Sequence, residues 1–323
     1  MSDFKTLKGL FIKHVSSDPS NLIEGQIWYN TTSQTLKVAP KIAAWTAGGN
    51  MNHTREGLAG FGLQTAAISA GGESPVGGLL AVSEEYDGSS WTEGPALNNA
   101  RRAIKGAGST TAGVVFGGFH PSPKDETELW DGSSWTNSGD MNSGRANMAG
   151  CGTSTSALAA GGQPGVLDNV ESFNGSTWTA ATALNTARAG GSSAASVNTA
   201  ALVWGGYIQS PPTVITTNSE SWDGSSWTEG PNLSTATYSG AGAGTQPAAI
   251  AFGGNAAPGK TGATELWDGS SWTTSPATLG TARGLAGAGT QTAAVGFGGP
   301  APGGSVLTEE FTLAITTRSV DTT

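Results

Sequence analysis

The chain has 323 residues, with 50 glycines, 12% charged residues and a formal net charge of −9. This acidic balance disfavours nucleic-acid binding, which needs clustered Lys and Arg to neutralise phosphates. A single cysteine, Cys151, excludes a disulfide framework and a thiolate zinc site. No apolar run reaches the ~18 residues of a membrane span, and the N-terminus lacks the apolar core of a signal peptide. We therefore expect no membrane insertion and folding in a cytoplasm.

Residues 1–40 form an N-terminal arm that shares no pattern with the rest of the chain. The stretch EGQIWYNTTSQTLKV predicts a β-hairpin, two strands around a polar turn. Forty residues bury little core by themselves, so we expect the apolar side chains of the arm to dock onto another protein. The alternative is that the hairpin folds back on its own chain. The expected anchoring residues are Leu10, Phe11, Ile12, Trp28 and Tyr29.

From residue 41 onward the chain is an internal repeat with a period near 45 residues. The pair Trp-Thr recurs in steps of 43 to 49 residues at Trp45, Trp91, Trp135, Trp178, Trp227 and Trp272. A Gly-Gly pair follows each Trp, starting at Gly71, Gly117, Gly161, Gly205, Gly253 and Gly298. An aromatic residue comes next, at Tyr86, Trp130, Phe173, Trp222, Trp267 and Phe311. This period suits a four-stranded propeller blade.

Each repeat predicts four short strands. Runs of small residues such as GLAGFG suit an innermost strand, and apolar runs ending in glycine, such as TAGVVFGG, suit a buried second strand. The segment ELWDGSSWT predicts a hairpin around an Asp-Gly turn, in which Trp130 faces Trp135. Cross-strand aromatic pairs of this kind stabilise a sheet by ~0.2–1 kcal/mol each.

These landmarks resemble the kelch repeat, whose pattern is an apolar strand ending in Gly-Gly, a spaced aromatic, a Trp, and an Arg leading the next unit. The resemblance covers about residues 42–314. The first repeat has a lone Trp45 strand and the last ends at Phe311 without a following Trp. Pairing these two strands in one blade predicts an all-β, six-bladed kelch-like β-propeller closed by both chain ends. The expected domains are the arm (1–40), the propeller (41–316) and a C-terminal tail (317–323).

The repeats also carry an arginine and a glutamate at regular positions. The arginines are Arg55, Arg101, Arg145, Arg188 and Arg283, and the glutamates are Glu84, Glu128, Glu171, Glu220, Glu265 and Glu309. Glu84 is expected opposite Glu93 in its hairpin, an unfavourable pairing that a cation from a neighbouring strand would neutralise. We therefore predict Arg–Glu pairs that brace adjacent blades. Thr237 stands at the arginine position of the fifth repeat, so one glutamate should have no arginine.

The loop between Gly-Gly and the following aromatic varies most in length, from 11 to 16 residues counted from the second glycine. Variable loops on a rigid scaffold often carry function, so we expect this face to contact a partner. Its expected contact residues are Phe119, His120, Tyr207 and Tyr238. The alternative is that these aromatic residues only pack against their own loops.

The remaining polar motifs predict no catalytic, metal or cofactor site. Repeated Asp-Gly pairs fit turns better than calcium ligands, because Asp accepts backbone hydrogen bonds and Gly takes positive φ. Cys151 fits a small buried residue better than a nucleophile. Some kelch-like propellers are copper radical oxidases, but outside the arm only His53 and His120 could supply imidazole ligands. The arginines belong to the repeat, which argues against a sialidase-type site.

The arm segment DPSNLIEGQIWYNTTSQTLKV resembles a short module near the N-termini of tailed-phage structural proteins. The resemblance rests on Gly25, Trp28, Asn30, Leu36 and Lys37. It implies a non-enzymatic virion protein, a tail fibre or capsid appendage present in multiple copies per particle. Its arm would dock to other virion proteins, and its propeller would bind a host-surface glycan or protein receptor. The alternatives are an adaptor between virion proteins and a carbohydrate-active enzyme.

Overall fold

The protein is described by a computed structural model covering residues 12–209, 213–300 and 305–320. Every regular element in these ranges is a β-strand. The described residues include no helix long and apolar enough to cross a membrane. Leu10 and Phe11, two of the expected anchoring residues, lie outside the described residues.

The strands are numbered in chain order. The first four are β1 (Lys13–Val15), β2 (Ile27–Asn30), β3 (Thr35–Val38) and β4 (Lys41–Ala47). The next eight are β5 (Ala59–Leu63), β6 (Ala66–Ala70), β7 (Ser83–Tyr86), β8 (Trp91–Gly94), β9 (Lys105–Ser109), β10 (Ala112–Phe116), β11 (Thr127–Trp130) and β12 (Trp135–Asn137). Then follow β13 (Ala149–Thr153), β14 (Ser156–Gly162), β15 (Leu167–Phe173), β16 (Trp178–Ala181), β17 (Ser192–Val197), β18 (Ala200–Trp204), β19 (Tyr207–Gln209) and β20 (Val214–Ile215). The last ten are β21 (Ser219–Trp222), β22 (Trp227–Gly230), β23 (Ala241–Thr245), β24 (Ala248–Phe252), β25 (Thr264–Trp267), β26 (Trp272–Thr274), β27 (Ala286–Gly289), β28 (Ala293–Phe297), β29 (Thr308–Ile315) and β30 (Arg318–Ser319).

The described residues divide into two compact units, one within residues 45–311 and the other within residues 12–44 and 312–320. In the larger unit the described repeats form four-stranded sheets, five from continuous sequence and one that combines β4 with β27, β28 and β29. The sheet orders are β5-β6-β7-β8, β9-β10-β11-β12, β13-β14-β15-β16, β17-β18-β21-β22, β23-β24-β25-β26 and β27-β28-β29-β4. The strand β4, from the start of the repeat region, is therefore the neighbour of β29, from its end. An all-β fold of repeated four-stranded antiparallel sheets is consistent with a β-propeller.

The first strand of each sheet lies beside the first strand of the next sheet. These contacts run from β5 to β9, β13, β17, β23 and β27, and β27 also contacts β5. Glycine makes the close approach possible. A Cβ on Gly60 would lie 2.7 Å from the Phe297 ring, and one on Gly150 would lie 2.8 Å from the Phe116 ring. Aromatic rings of one sheet thus occupy the space that a side chain on the next inner strand would need.

The predicted facing of the hairpin aromatics is confirmed. Trp130 pairs with Trp135, and their rings lie 5.2 Å apart. The same register joins Tyr86 to Trp91, Phe173 to Trp178, Trp222 to Trp227 and Trp267 to Trp272. The hairpin loop has four residues, and its Asp131 Oδ1 accepts the amides of Ser133 and Ser134 at 2.8 Å each. Asp therefore acts here through its backbone hydrogen bonds, as turn chemistry requires.

The turn aspartates should make the stability of the protein sensitive to acid. Hydrogen bonds, first from a serine hydroxyl, lower the pKa of Asp87, Asp131 and Asp268 to about 2, and those to Asp223, first from the Ser226 amide, also lower its pKa. A carboxyl whose folded pKa is depressed stabilises the fold above its unfolded pKa of ~3.9 and loses that stabilisation as the pH falls through the folded pKa. We expect the melting temperature to fall between about pH 4 and pH 2.

Asparagine provides the matched control for this acid sensitivity. Asn174 occupies the turn position in the third repeat, and its Oδ1 accepts the Ser176 and Thr177 amides without titrating. A variant with all four turn aspartates changed to asparagine should lose part of the melting-temperature drop measured by circular dichroism between pH 4 and pH 2. An unchanged drop would show that other carboxyls cause it.

The smaller unit contains the sheet β1-β2-β3-β30. The predicted arm hairpin is confirmed as β2 and β3, in which Trp28 pairs with Lys37. The expected boundaries need correction. Residues 317–323 were expected to form a separate tail, but β30 pairs with β3 through Lys37 and Val38. The described C-terminal residues therefore belong with the arm, because they complete its sheet.

Trp28 also needs correction as an anchoring residue. Its side chain is 0% exposed, so it offers no surface to a partner. Its Nε1 donates to Asp18 Oδ1 at 2.9 Å, and the Asn30 side-chain amide donates to the same oxygen at 2.8 Å. These hydrogen bonds, that of Asn30 first, lower the pKa of Asp18. Trp28 and Asn30 thus hold the arm together from inside, and Asp18 is the partner that sequence reasoning missed.

Candidate functional site

Buried arginine–glutamate pairs recur through the larger unit. Arg188 shows the arrangement: its Nη1 donates to the carbonyls of Gly205 at 2.9 Å and Asn218 at 3.0 Å, and its Nη2 donates to Glu220 at 2.6 Å. Both side chains are 0–1% exposed. The pairs are Arg55–Glu84, Arg101–Glu128, Arg145–Glu171, Arg188–Glu220 and Arg283–Glu309. Such depth keeps these guanidinium groups from any substrate.

Each arginine lies on the loop that enters its sheet, not on a neighbouring strand as expected. The arginine carbonyl nevertheless bonds the preceding sheet, since Gly162 N donates to Arg188 O at 2.8 Å. The same link recurs as Gly72–Arg101, Gly118–Arg145, Gly206–Thr237, Gly254–Arg283 and Gly299–Arg55. Each of these arginines therefore connects two sheets. Its carbonyl accepts a hydrogen bond from the preceding sheet, and its guanidinium donates to groups of the sheet that its own loop enters. Burial strips water from the guanidinium groups of Arg55 and Arg145 and lowers their pKa. The paired carboxylates, Glu84 and Glu171, act in the opposite direction and raise it.

Backbone amides of the same loops complete the hydrogen bonding of all six glutamates. Asn142 N donates to Glu171 Oε2 at 2.7 Å, and its side-chain amide reaches Trp178 O at 3.3 Å. The equivalent amide donors are Asn52, Asn98, Asn185, Ser234 and Gly280. Sequence reasoning missed this position, although an Asn seven residues after the Trp in four repeats was a detectable signal.

The fifth repeat differs in the predicted way. Glu265 is 3% exposed and accepts the amides of Ser234 at 2.8 Å and Thr235 at 3.0 Å. Within the described ranges it forms no ion pair with an arginine. Thr237 keeps the backbone position, because its carbonyl accepts Gly206 N at 2.7 Å. The fifth repeat therefore has the backbone for a guanidinium bridge and lacks only the side chain.

Thr237→Arg should stabilise the protein by about 1.5–3 kcal/mol, the range for hydrogen bonds to charged groups. The new guanidinium would find Glu265 and the carbonyl of Gly253, which corresponds to Gly205 in the Arg188 site. Chemical denaturation measures the change, and Thr237→Lys is the matched control, because it adds a charge without the planar fork that makes several directed bonds. Equal effects of both variants, or no gain with arginine, would contradict the prediction.

The hydrogen bonding of several tryptophan indoles depends on whether the preceding sheet offers a threonine or a serine. Trp91 and Trp178 donate Nε1 to Thr308 and Thr127 of the preceding sheet, at 2.8 Å and 2.9 Å. The indoles of Trp135 and Trp272 have no partner among the described residues. Their preceding sheets carry Ser83 and Ser219 at the threonine position, and these hydroxyls donate instead to the carbonyls of Pro95 and Pro231. Serine can rotate away, whereas β-branched threonine is restricted.

Residues from all six repeats line a central cavity of about 290 Å³. Its rim contains a chain of backbone hydrogen bonds through Gly57, Ala103, Asn147, Gly190 and Ser239, with N···O distances of 2.6 to 3.1 Å. All five rim residues have positive φ, from 51° to 67°. Asn tolerates this conformation better than Ala or Ser. The repeated loops therefore leave a polar opening that is surrounded by backbone groups.

Of the four expected contact residues, Phe119 alone lines this cavity. The Arg102 guanidinium lies 5.3 Å from the centre of its ring. Tyr207 is 8% exposed and packs edge-to-face on Tyr238 with ring centres 5.6 Å apart, so these tyrosines use much of their surface inside the chain. His120 is exposed on its loop and lies outside the cavity lining.

Charged residues in and around the cavity are the second feature that sequence reasoning missed. The cavity lining includes Glu56, Glu73, Arg102 and Lys105, and Arg102 pairs with Glu73 at 3.2 Å. Lys105 was detectable, because the same position holds Ala59, Ala149, Ser192, Ala241 and Ala286 in the other repeats. Cys151 is buried as predicted, and burial raises the pKa of its thiol to about 12.

No group of three or more metal-ligating side chains occurs within the described ranges. Comparison of the sequence with protein-family models finds no match, and neither does comparison with curated proteins.

Proposed function

We propose that the chain is a non-enzymatic structural protein of a tailed-phage virion. Its arm docks to other proteins of the particle, and a closed six-bladed, kelch-like propeller is displayed to bind a host-surface glycan or protein. The observation that carries the proposal is the surface of the arm unit, which is small yet exposes several large apolar side chains. The propeller supplies a rigid scaffold with a polar cavity of about 290 Å³.

Several contacts support a closed ring of six blades. The strand β4 lies beside β29, and the Trp45 ring lies 5.3 Å from the Phe311 ring. Gly299 N donates to Arg55 O at 2.9 Å. This is the same backbone hydrogen bond that links the other successive repeats, and here it joins the last repeat to the first. A ring closed in this way leaves no unpaired sheet edge at the seam.

Exposed apolar side chains of the smaller unit support docking of the arm. Ile23 is 70% exposed and Ile27 is 49% exposed. Ile12, Ile315 and Val320 in the same unit are also exposed. Single exposed apolar residues are ordinary, but this concentration on a small unit is typical of an interaction surface. The resemblance of the arm to phage N-terminal modules supplies the class of partner.

The arm proposal can be tested by changing Ile23 and Ile27 to glutamate in the full chain. Charged side chains on a docking surface would leave a carboxylate desolvated at the interface, so the variant should no longer co-sediment with purified particles. Val76→Glu is the matched control, because Val76 is 95% exposed in the larger unit and should leave incorporation unchanged. Normal incorporation of the double variant, with its fold intact by circular dichroism, would contradict the proposed docking.

An adsorption assay separates display from a purely structural adaptor. If the propeller binds the host surface, purified protein should bind host cells and compete with particle adsorption. Incorporation into particles without any competition would favour the adaptor function.

A further inference from the structure

We propose that the central cavity binds a carboxylate-bearing sugar, a uronic acid unit at the end of a glycan, whose carboxylate pairs with the ammonium group of Lys105. This inference specifies the ligand class of the proposed display surface and therefore rests on the proposed function. It rests on Lys105, a cation of the cavity lining that pairs with no carboxylate among the described residues, and on nearby polar side chains that suit the hydroxyl groups of a sugar.

Lys105 is the cation in question. It opens the inner strand β9 and lines both the 290 Å³ cavity and a second, 60 Å³ cavity. The other repeats carry alanine or serine at this position. Apart from Lys105, the inner strands contribute only small residues to the lining of the second cavity, including Gly60, Gly106, Gly150, Gly242 and Gly287. Small neighbours leave room around the lysine side chain, so an anion can approach it.

The charge on Lys105 has no protein counterpart among the described residues. Arg102, the other cation of the lining, is paired with Glu73, whereas no carboxylate lies within ion-pair distance of Lys105 there. Burial lowers the pKa of Lys105. A desolvated charge without a partner destabilises a fold, and such groups in cavities mark functional sites. A bound carboxylate would supply the missing counter-charge.

Polar amides around the cavity suit the hydroxyl groups of a sugar. The Asn147 side-chain amide donates to Gln163 Oε1 at 2.8 Å, an arrangement in which the Gln163 amide nitrogen and the Asn147 oxygen have further hydrogen-bonding capacity. Asn255 and Ser239 also line the cavity, and Phe119 adds an aromatic ring. Mixed donors and acceptors fit hydroxyls, which both donate and accept.

Size and charge favour a single acidic sugar over a polyanion. A volume of about 290 Å³ corresponds to roughly ten waters at ~30 Å³ each, which accommodates one sugar ring. Glu56 in the same lining and the net charge of −9 oppose chains of closely spaced acids. An acidic peptide is therefore the disfavoured ligand and becomes an outcome of the test.

The test measures binding of glucuronate, galacturonate and glucose to the purified full chain by calorimetry or NMR titration. At least one uronate should bind more tightly than glucose by a factor of about ten or more, which is the effect of one charge-assisted hydrogen bond. Lys105→Ala should abolish that difference. This variant places at residue 105 the residue that four other repeats carry, and removing an unpaired charge should raise the melting temperature. Lys41→Ala is the control, because Lys41 is exposed at the start of β4 and lies outside the cavity lining, and this variant should bind as the unchanged protein does.

Three results would overturn the proposal. They are no preference for either uronate over glucose, unchanged uronate binding in a folded Lys105→Ala variant, or tighter binding of a glutamate-rich peptide than of both uronates at the same site. Each can occur while the arm variants still lose particle incorporation, so failure of this proposal is distinguishable from failure of the proposed function.

Discussion

Replacing Arg188 by methionine is expected to lower the free energy of unfolding by about 3–5 kcal/mol, because it leaves a buried charge without its partner. Glu220 is 0% exposed and would retain only the amides of Asn185 and Thr186. The Gly205 and Asn218 carbonyls would each lose a donor. Urea denaturation followed by tryptophan fluorescence measures the loss.

Thr237→Met is the matched control for the Arg188 variant. Both residues occupy the same backbone position in successive repeats, but the Glu265 site already lacks a guanidinium. We therefore expect the control to change stability by less than about 1 kcal/mol. The double variant Arg188→Met, Glu220→Met should recover much of the loss, since replacing a whole buried pair by apolar residues is often nearly neutral. A loss for Arg188→Met no larger than that of the control would show that the pairs contribute little.

Phe311→Ala tests closure of the proposed ring and is expected to destabilise the protein by about 3–5 kcal/mol, as for other buried aromatic truncations. Phe311 is 0% exposed and its ring lies 5.3 Å from Trp45, across the chain ends. In a closed ring this sheet supports two neighbours. The whole larger unit should therefore unfold in one transition at a lower denaturant concentration.

Phe173→Ala is the comparison for closure, because Phe173 is also 0% exposed and packs 4.9 Å from Trp178 in a sheet built from continuous sequence. Equal losses and single transitions for both variants are expected. If the sheet containing Phe311 did not pack between two neighbouring sheets, Phe311→Ala would produce a separate transition at low denaturant concentration and leave the main transition in place. That result would contradict the proposed closure.

The repeat made much of the larger unit predictable. Strand positions, the facing of Trp130 and Trp135, and the lack of an arginine partner for Glu265 within the described ranges all follow from regular spacing. These features are local, because a hairpin register is set by the turn that joins its strands. Deviations from the repeat were equally informative, yet Lys105 was overlooked because a lone lysine on an inner strand has no sequence motif.

The amino-acid sequence by itself determined the β-strands, their hairpin partners and which glutamates have an arginine. Only the tertiary structure decided that Trp28 is buried against Asp18, that β30 joins β3, and that Lys105 lines a cavity from which Tyr207 is absent. Local register and turn chemistry act over a few residues and are therefore visible in spacing. Burial depends on which surfaces meet after the chain has folded, and contacts between residues far apart in sequence leave no periodic pattern.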